Sequence, residues 1–132
     1  MSKYQSLNHA KYLIKYHLIF STKYRRNILN PIKDDIKRYM ELACTKDFQI
    51  ECQEIDSNHI HLLISSTPNI SPSEIVSQLK QKSVYMVWQE HYDYMRKYYW
   101  SGKHYLWTRG YFVCSIGDAN AETIRNYIEN QG

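Results

Sequence analysis

The chain has 132 residues, of which 43% are hydrophobic and 23% charged, and its formal net charge is +4 at pH 7. This length and composition indicate one globular domain with its own core, and they exclude a disordered or fibrous chain. The positive charge favours an anionic partner, and the absence of a signal peptide or a long apolar stretch predicts a cytoplasmic protein without membrane attachment.

Three cysteines occur in the chain: Cys44, Cys52 and Cys114. They form no CxxC pair, and their odd number argues against a disulfide framework. We therefore interpret them as free, partly buried thiols in a reducing compartment.

The first predicted strand covers residues 11–20, because alternate residues place an apolar row on one face: Tyr12, Ile14, Tyr16, Leu18 and Phe20. A basic turn follows, in which Lys23, Arg25 and Arg26 are candidate phosphate contacts. The chain holds 13 tyrosines interleaved with cations, a composition that suits single-stranded nucleic acid. An ordinary solvated turn and half-buried tyrosines are the alternatives.

The first helix is predicted to begin at Asn30-Pro31, with asparagine as the cap and proline in the first turn. Apolar residues then recur with a period near that of a helix, at Ile32, Ile36, Met40 and Ala43.

Two further strands are predicted at residues 48–55 and 59–65, joined as a hairpin by the turn at residues 56–58. The second of these strands begins His59-Ile60-His61. Because side chains alternate along a strand, both imidazoles project from one face and Ile60 from the other. Two imidazoles so placed can bind one divalent metal, and a hydrogen-bonded pair without metal is the alternative.

The second helix is predicted to begin with the capping box Ser71-Pro72-Ser73-Glu74. Its buried stripe comprises Ile75, Leu79, Met86 and Val87. Lys80 and Lys82 on this helix are candidate nucleic-acid contacts.

The C-terminal third predicts an irregular aromatic and basic segment at 91–104, a fourth strand at 106–116 and a last helix through about Gln131. On that helix Tyr127 and Gln131 are four residues apart and share a face. The predicted order β-α-β-β-α-β plus a terminal helix is an α+β, ferredoxin-like (RRM-like) antiparallel sheet. Both histidines would lie on the sheet face opposite the two long helices.

Four motifs resemble the HUH single-tyrosine transposases of small bacterial and archaeal insertion sequences. In chain order they are the strand and basic turn at 15–26, the His59-Ile60-His61 motif, the strand at 106–117 and the helix segment at 127–131. The resemblance extends over nearly the whole chain, so we expect residues 1–132 to form a single HUH transposase domain.

The resemblance implies a metal-dependent transposase that cleaves and rejoins single-stranded DNA through a 5′-phosphotyrosine intermediate. Tyr127 would be the nucleophile, and His59, His61 and Gln131 would bind Mg²⁺ or Mn²⁺. Ligand chemistry alone favours Mn²⁺ or later metals over Mg²⁺, because imidazole is a softer ligand than oxygen. The resemblance also implies DNA with hairpin ends and a homodimer in which the tyrosine helix can complete the partner's site.

Two other functions remain open on the sequence. An RRM-like nucleic-acid-binding module would share the fold, but it stacks bases on aromatics of the central strands, where this chain has histidines. A domesticated HUH nickase without transposition would share the chemistry.

Overall fold

The computed structural model of the chain describes residues 5–7, 10–115 and 129. The strands in these residues are β1 (Gln5–Leu7), β2 (Ala10–Tyr12), β3 (Ile14–Ser21), β4 (Phe48–Asp56), β5 (His59–Ser66) and β6 (Phe112–Ser115). The helices are α1 (Lys33–Ala43), α2 (Pro72–Glu90) and the short α3 (Tyr92–Met95), and single 3-10 turns cover Lys23–Arg25 and Asn30–Ile32.

A four-stranded antiparallel sheet forms the centre of the fold, in the order β4-β5-β3-β6. Beside it, β1 and β2 pair as a separate two-stranded sheet. The main sheet and the two long helices follow the predicted β-α-β-β-α-β order, which corresponds to β3, α1, β4, β5, α2 and β6. The α+β, ferredoxin-like prediction is confirmed.

Strand β5 has one buried face and one accessible face. Ile60, Leu62 and Ile64 are fully buried and belong to the core that also contains the apolar residues of α1 and α2. His59 and His61 alternate with them and are only partly buried. The period of two therefore places both histidines on the face away from the two long helices.

The start of α2 is as predicted, whereas the start of α1 is different. Ser71 accepts a hydrogen bond from the Glu74 backbone and the Glu74 carboxylate accepts one in return, which completes the capping box. Asn30 does not cap α1, because Asn30–Ile32 forms a 3-10 turn without a side-chain cap and α1 begins at Lys33.

Two predicted strands were too long. The strand predicted at 11–20 is divided at Leu13, with β2 paired to β1 and β3 to the main sheet. The strand predicted at 106–116 is restricted to Phe112–Ser115 in the described residues. Trp107 makes an isolated bridge to Thr22 and buries its indole, whose Nε1 donates to Ser83 Oγ at 2.8 Å.

A bulge in β4 changes the surroundings of one cysteine. The pairing between β4 and β5 shifts between Ile50 and Cys52. The shift moves Cys52 off the buried face, so its thiol is exposed rather than partly buried as predicted. Cys44 and Cys114 are partly buried, and all three thiols are free.

The predicted terminal helix with Tyr127 and Gln131 lies outside the described residues, apart from Glu129, which is helical and exposed. Among the described residues, no helix combines the length and the apolar character needed to cross a membrane.

A hydrogen-bond and ion-pair network fastens the start of α1 to the end of α2. Asp35 contacts His91 Nε2 at 2.7 Å and Arg38 at 3.3 Å. Arg38 also pairs with Glu90, to which the Tyr39 hydroxyl donates at 2.7 Å. The hydrogen bond with His91 lowers the pKa of Asp35, and Arg38 lowers it further.

We predict that Asp35→Ala lowers the thermal midpoint at pH 7 by about 2–4 °C more than Asp34→Ala, its neighbour in the first turn of α1. A carboxylate with a lowered pKa stabilises the fold above the unfolded-state pKa and loses this effect as the pH falls through the folded-state pKa. The difference in thermal midpoint between the two variants, measured by circular dichroism, should therefore become smaller below about pH 4. Equal midpoints at pH 7 would contradict the prediction.

Candidate metal centre and basic turn

His59 and His61 lie on the open sheet face at the start of β5, which is an interior strand of the sheet, and Ile60 between them points to the buried face. The residues opposite them on the two neighbouring strands are Ser21 and Ile19 of β3 and Asp56 and Glu54 of β4. Strand pairing on both sides therefore fixes the backbone of both histidines, which makes the pair a rigid platform.

The hydrogen bond of His59 leaves one ring nitrogen for another ligand. Its Nδ1 lies 3.0 Å from Asn58 Oδ1. When Nδ1–H donates to that oxygen, Nε2 is the unprotonated nitrogen and can bind a metal. A metal-binding histidine is commonly oriented by such a second hydrogen bond.

His61 contacts a third histidine from the neighbouring strand. Its Nε2 lies 2.8 Å from His17 Nδ1, and the two rings stack with centroids 5.0 Å apart. A pattern of neighbouring residues could not reveal this contact, because a diagonal contact between β3 and β5 depends on the strand register. With His17 as its partner, His61 must exchange this contact before its Nε2 can bind a metal.

Both histidines favour the neutral, metal-binding form. Burial lowers the pKa of His59, an effect that Asp56 opposes and Arg25 reinforces. Burial also lowers the pKa of His61, and His17 lowers it further. Because only a neutral imidazole can bind a metal, the donor set fits a divalent ion that accepts nitrogen ligands. Tyr127 and the predicted third ligand, Gln131, lie outside the described residues.

A second group of possible metal ligands lies in the helical layer, on the other side of the sheet. Ligand atoms of Asp35, Glu90 and His91 all lie within 4.8 Å of one another, so the group could hold a metal ion. Its carboxylates are, however, already paired with Arg38 and Tyr39. The cation inside this group provides the charge that a metal would otherwise supply.

The predicted basic turn has an unusual backbone that is fixed on both sides. Tyr24 and Arg25 have positive φ values of 60° and 51°. The Tyr99 hydroxyl donates to Lys23 O at 2.7 Å, and Thr22 Oγ1 donates to Arg26 O at 2.8 Å. These bonds support a conformation that is costly for residues other than glycine.

The three cations of this turn have different surroundings. Lys23 lies over the rings of Tyr24 and Tyr105, with Nζ 5.2 and 5.0 Å from the centroids. Arg26 lies over Trp100 at 5.7 Å, and its Nε is buried without an acceptor among the described residues. Arg25 is close enough to His59 to lower the pKa of that imidazole.

The two lysines predicted on α2 have different environments. Lys80 Nζ donates to the carbonyl oxygens of Thr108, Arg109 and Gly110 at 2.9, 3.1 and 3.1 Å. Burial lowers its pKa to about 8, so the amine is still protonated at neutral pH. Lys82 is exposed. Lys80 therefore braces the segment before β6, and only Lys82 has the exposure expected of a DNA contact.

The comparisons with known proteins agree on one family. The profile described as "Transposase IS200 like" matches residues 10–131. The transposase for insertion sequence element IS200 of Salmonella typhimurium is 30% identical over 136 aligned positions, covering 99% of this chain and 85% of that protein. The ISDra2 transposase TnpA of Deinococcus radiodurans is 29% identical and is aligned over 91% of this chain and 85% of its own length.

Two solved structures share the fold. A candidate transposase of Deinococcus radiodurans R1 superposes with a TM-score of 0.85 at 26% identity, covering 96% of this chain and 97% of that one. A REP-associated tyrosine transposase, solved with a REP hairpin, has a TM-score of 0.57 at 11% identity, with 94% and 69% coverage. At this identity the second likeness concerns the fold alone.

We predict that Lys80→Met lowers the free energy of unfolding by about 1–2 kcal/mol, because three carbonyls lose a charged donor while the aliphatic part of the side chain is retained. Urea denaturation provides the measurement. Lys82→Met, the matched control on the same helix, should stay within about 0.5 kcal/mol of the wild type. The Lys82→Met variant should instead bind single-stranded DNA more weakly than the wild type does, and with a smaller dependence on salt concentration. Equal stability of the two variants would contradict the assignment of Lys80 to bracing.

Proposed function

The chain belongs to the IS200-like transposase family, and we propose that it is a metal-dependent enzyme that cleaves and rejoins single-stranded DNA through Tyr127. The observation that carries the proposal is the pair His59 and His61 on one rigid strand, with His59 Nδ1 3.0 Å from Asn58 Oδ1. We take residues 1–132 as a single catalytic domain.

The metal site would be formed by His59, His61 and Gln131. We propose Mg²⁺ or Mn²⁺ as the ion, which when bound would neutralise the anionic phosphodiester and polarise its phosphorus. The nitrogen ligands favour Mn²⁺, whereas use of Mg²⁺ would depend on oxygen ligands such as the Gln131 amide.

The reaction itself needs a nucleophile, and Tyr127 supplies one. A phenol, whose ordinary pKa is about 10, must lose its proton to the solvent on attack. The Tyr127 oxygen would form a bond to phosphorus while the bond from phosphorus to the 3′ oxygen breaks, and that oxygen would leave as a 3′-hydroxyl by taking up a proton. The 5′-phosphotyrosine keeps the phosphodiester energy, so a second 3′-hydroxyl can later displace the tyrosine and join new ends without ATP.

Phosphate binding by the basic turn would guide the strand to this site. Thr22 N–H donates to Asn58 O at 2.9 Å, so the turn is attached directly to the residue before His59. Lys23, Arg25 and Arg26 would contact phosphates there, and the exposed Lys82 would contact DNA elsewhere. Lys80 would contribute to DNA binding only indirectly, by bracing the segment before β6.

The partners would be DNA with hairpin ends and a second copy of the chain. The REP-associated tyrosine transposase, which shares only the fold, was solved with a REP hairpin, and we propose hairpin DNA as the ligand of this chain too. A homodimer would allow the Tyr127 helix of one protomer to complete the His59 and His61 site of the other. Because the proposed substrate is DNA, we propose that the enzyme acts in the cytoplasm.

We predict that Tyr127→Phe abolishes a covalent protein–DNA adduct, because the variant keeps the ring and loses the nucleophilic oxygen. The assay incubates labelled single-stranded DNA carrying candidate element ends with Mg²⁺ or Mn²⁺ and separates the products on a denaturing gel. His59→Ala, His61→Ala and chelator should each reduce the adduct by at least about 100-fold. Tyr85→Phe, on the exposed side of α2, is the matched control and should retain it.

Three results would each contradict part of the proposed function. An adduct that persists in Tyr127→Phe would assign the nucleophile to another residue. Binding of every candidate end without any adduct would favour the RRM-like binding module, and cleavage without rejoining would favour a domesticated nickase.

A further inference from the structure

A small cleft beside the basic turn is lined by aromatic rings, two of which are largely exposed. We call it the Tyr24–Trp100 cleft; its volume is about 190 Å³, and it is lined mainly by Tyr24, Arg26, Tyr98, Tyr99, Trp100 and Tyr105. Trp100 is 72% exposed and Tyr24 is 62% exposed, although both are large rings. The cleft is smaller than the roughly 300–1,000 Å³ of a pocket for a drug-sized ligand, so it suits one small planar group.

The floor of the cleft is rigid. Tyr99 is almost fully buried, and its hydroxyl bond to Lys23 O fixes its ring against the basic turn. Tyr24 packs against Tyr99 and Tyr105 with centroids 6.4 and 6.2 Å away, and Tyr99 and Tyr105 are 6.0 Å apart. These ring contacts hold Tyr24 in place although most of its surface is exposed.

The charges around the cleft are all of one sign. Arg26 lies over the Trp100 ring, and Lys23 lies over Tyr24 and Tyr105. No described residue that lines the cleft is acidic. Cations beside exposed ring faces match a ligand that combines a flat ring with a phosphate, which is the chemistry of an unpaired nucleotide.

We propose that the Tyr24–Trp100 cleft binds one unpaired base of single-stranded DNA, stacked on Trp100, with the adjoining phosphate paired to Arg26 or Lys23. This inference rests on the proposed function for the identity of its ligand. The base would be held without strong sequence preference, because every base has a face that can stack. Because Thr22 N–H donates to Asn58 O, the basic turn is attached to the residue before His59, and a base bound beside this turn would help to set the position of the strand before cleavage.

The test compares two probes that carry the same charge, a 15-residue oligothymidylate and an abasic strand of equal length. Binding is measured by fluorescence anisotropy in chelator with Tyr127→Phe as the parent protein, so that no cleavage contributes. The dissociation constant of the abasic strand divided by that of the oligothymidylate isolates the contribution of the bases. We expect Trp100→Ala to reduce this ratio by roughly 5- to 150-fold, the range for loss of one stacked base. Trp100→Phe should largely retain it.

The controls separate stacking from charge and from folding. Tyr85→Ala removes a ring that is also 62% exposed but lies on α2, outside the cleft, and should leave the ratio unchanged. Arg26→Gln should weaken binding of both strands, because the phosphate is common to them. An unchanged ratio in Trp100→Ala, or a parent protein that binds both strands equally, would overturn the proposal. The assay does not use the adduct, so its failure is distinguishable from failure of the catalytic proposal.

Discussion

Burial of one face of β5 is the constraint on which the rest of the site depends. Ile60, Leu62 and Ile64 are fully buried against the two long helices. Burying each such side chain is worth about 1.5–3 kcal/mol, and a slip of one residue in the register would expose all three and drive His59 and His61 into the core. The hydrophobic core therefore fixes which face carries the imidazoles, without any contribution from a metal.

The pairing of β3 with β5 also brings the basic turn to the edge of the sheet at which the two histidines lie. Because β3 pairs with β5 along its full length, the end of β3 and the basic turn that follows lie beside the start of β5. The hydrogen bond from Thr22 to Asn58 joins the two segments. A strand of DNA held at the basic turn would thus lie close to the histidines, which links the packing of the core to the proposed binding and cleavage.

Patterns within short stretches of the sequence were sufficient to predict some features of the fold. Other features depend on which residues of neighbouring strands and helices come into contact, and these were not predicted. The alternation through residues 59–64 was sufficient to orient the histidines, and the capping box was sufficient to start α2. The contact between His17 and His61 joins residues 44 positions apart, so no local signal could reveal it. Lys80 was predicted to contact nucleic acid. Its hydrogen bonds to three carbonyl oxygens could not be predicted, because these are contributed by a segment about 30 residues away. The β4 bulge that exposes Cys52 likewise has no local signature.

Pulsed electron paramagnetic resonance of bound Mn²⁺ can decide whether the metal binds at His59 and His61. We expect nitrogen couplings from two imidazoles in the wild type, coupling to a single imidazole in His59→Ala, and no change in Asp35→Ala. Couplings that survive loss of both His59 and His61 but disappear in Asp35→Ala would place the ion in the helical layer instead. That result would overturn the assignment of the metal to His59 and His61.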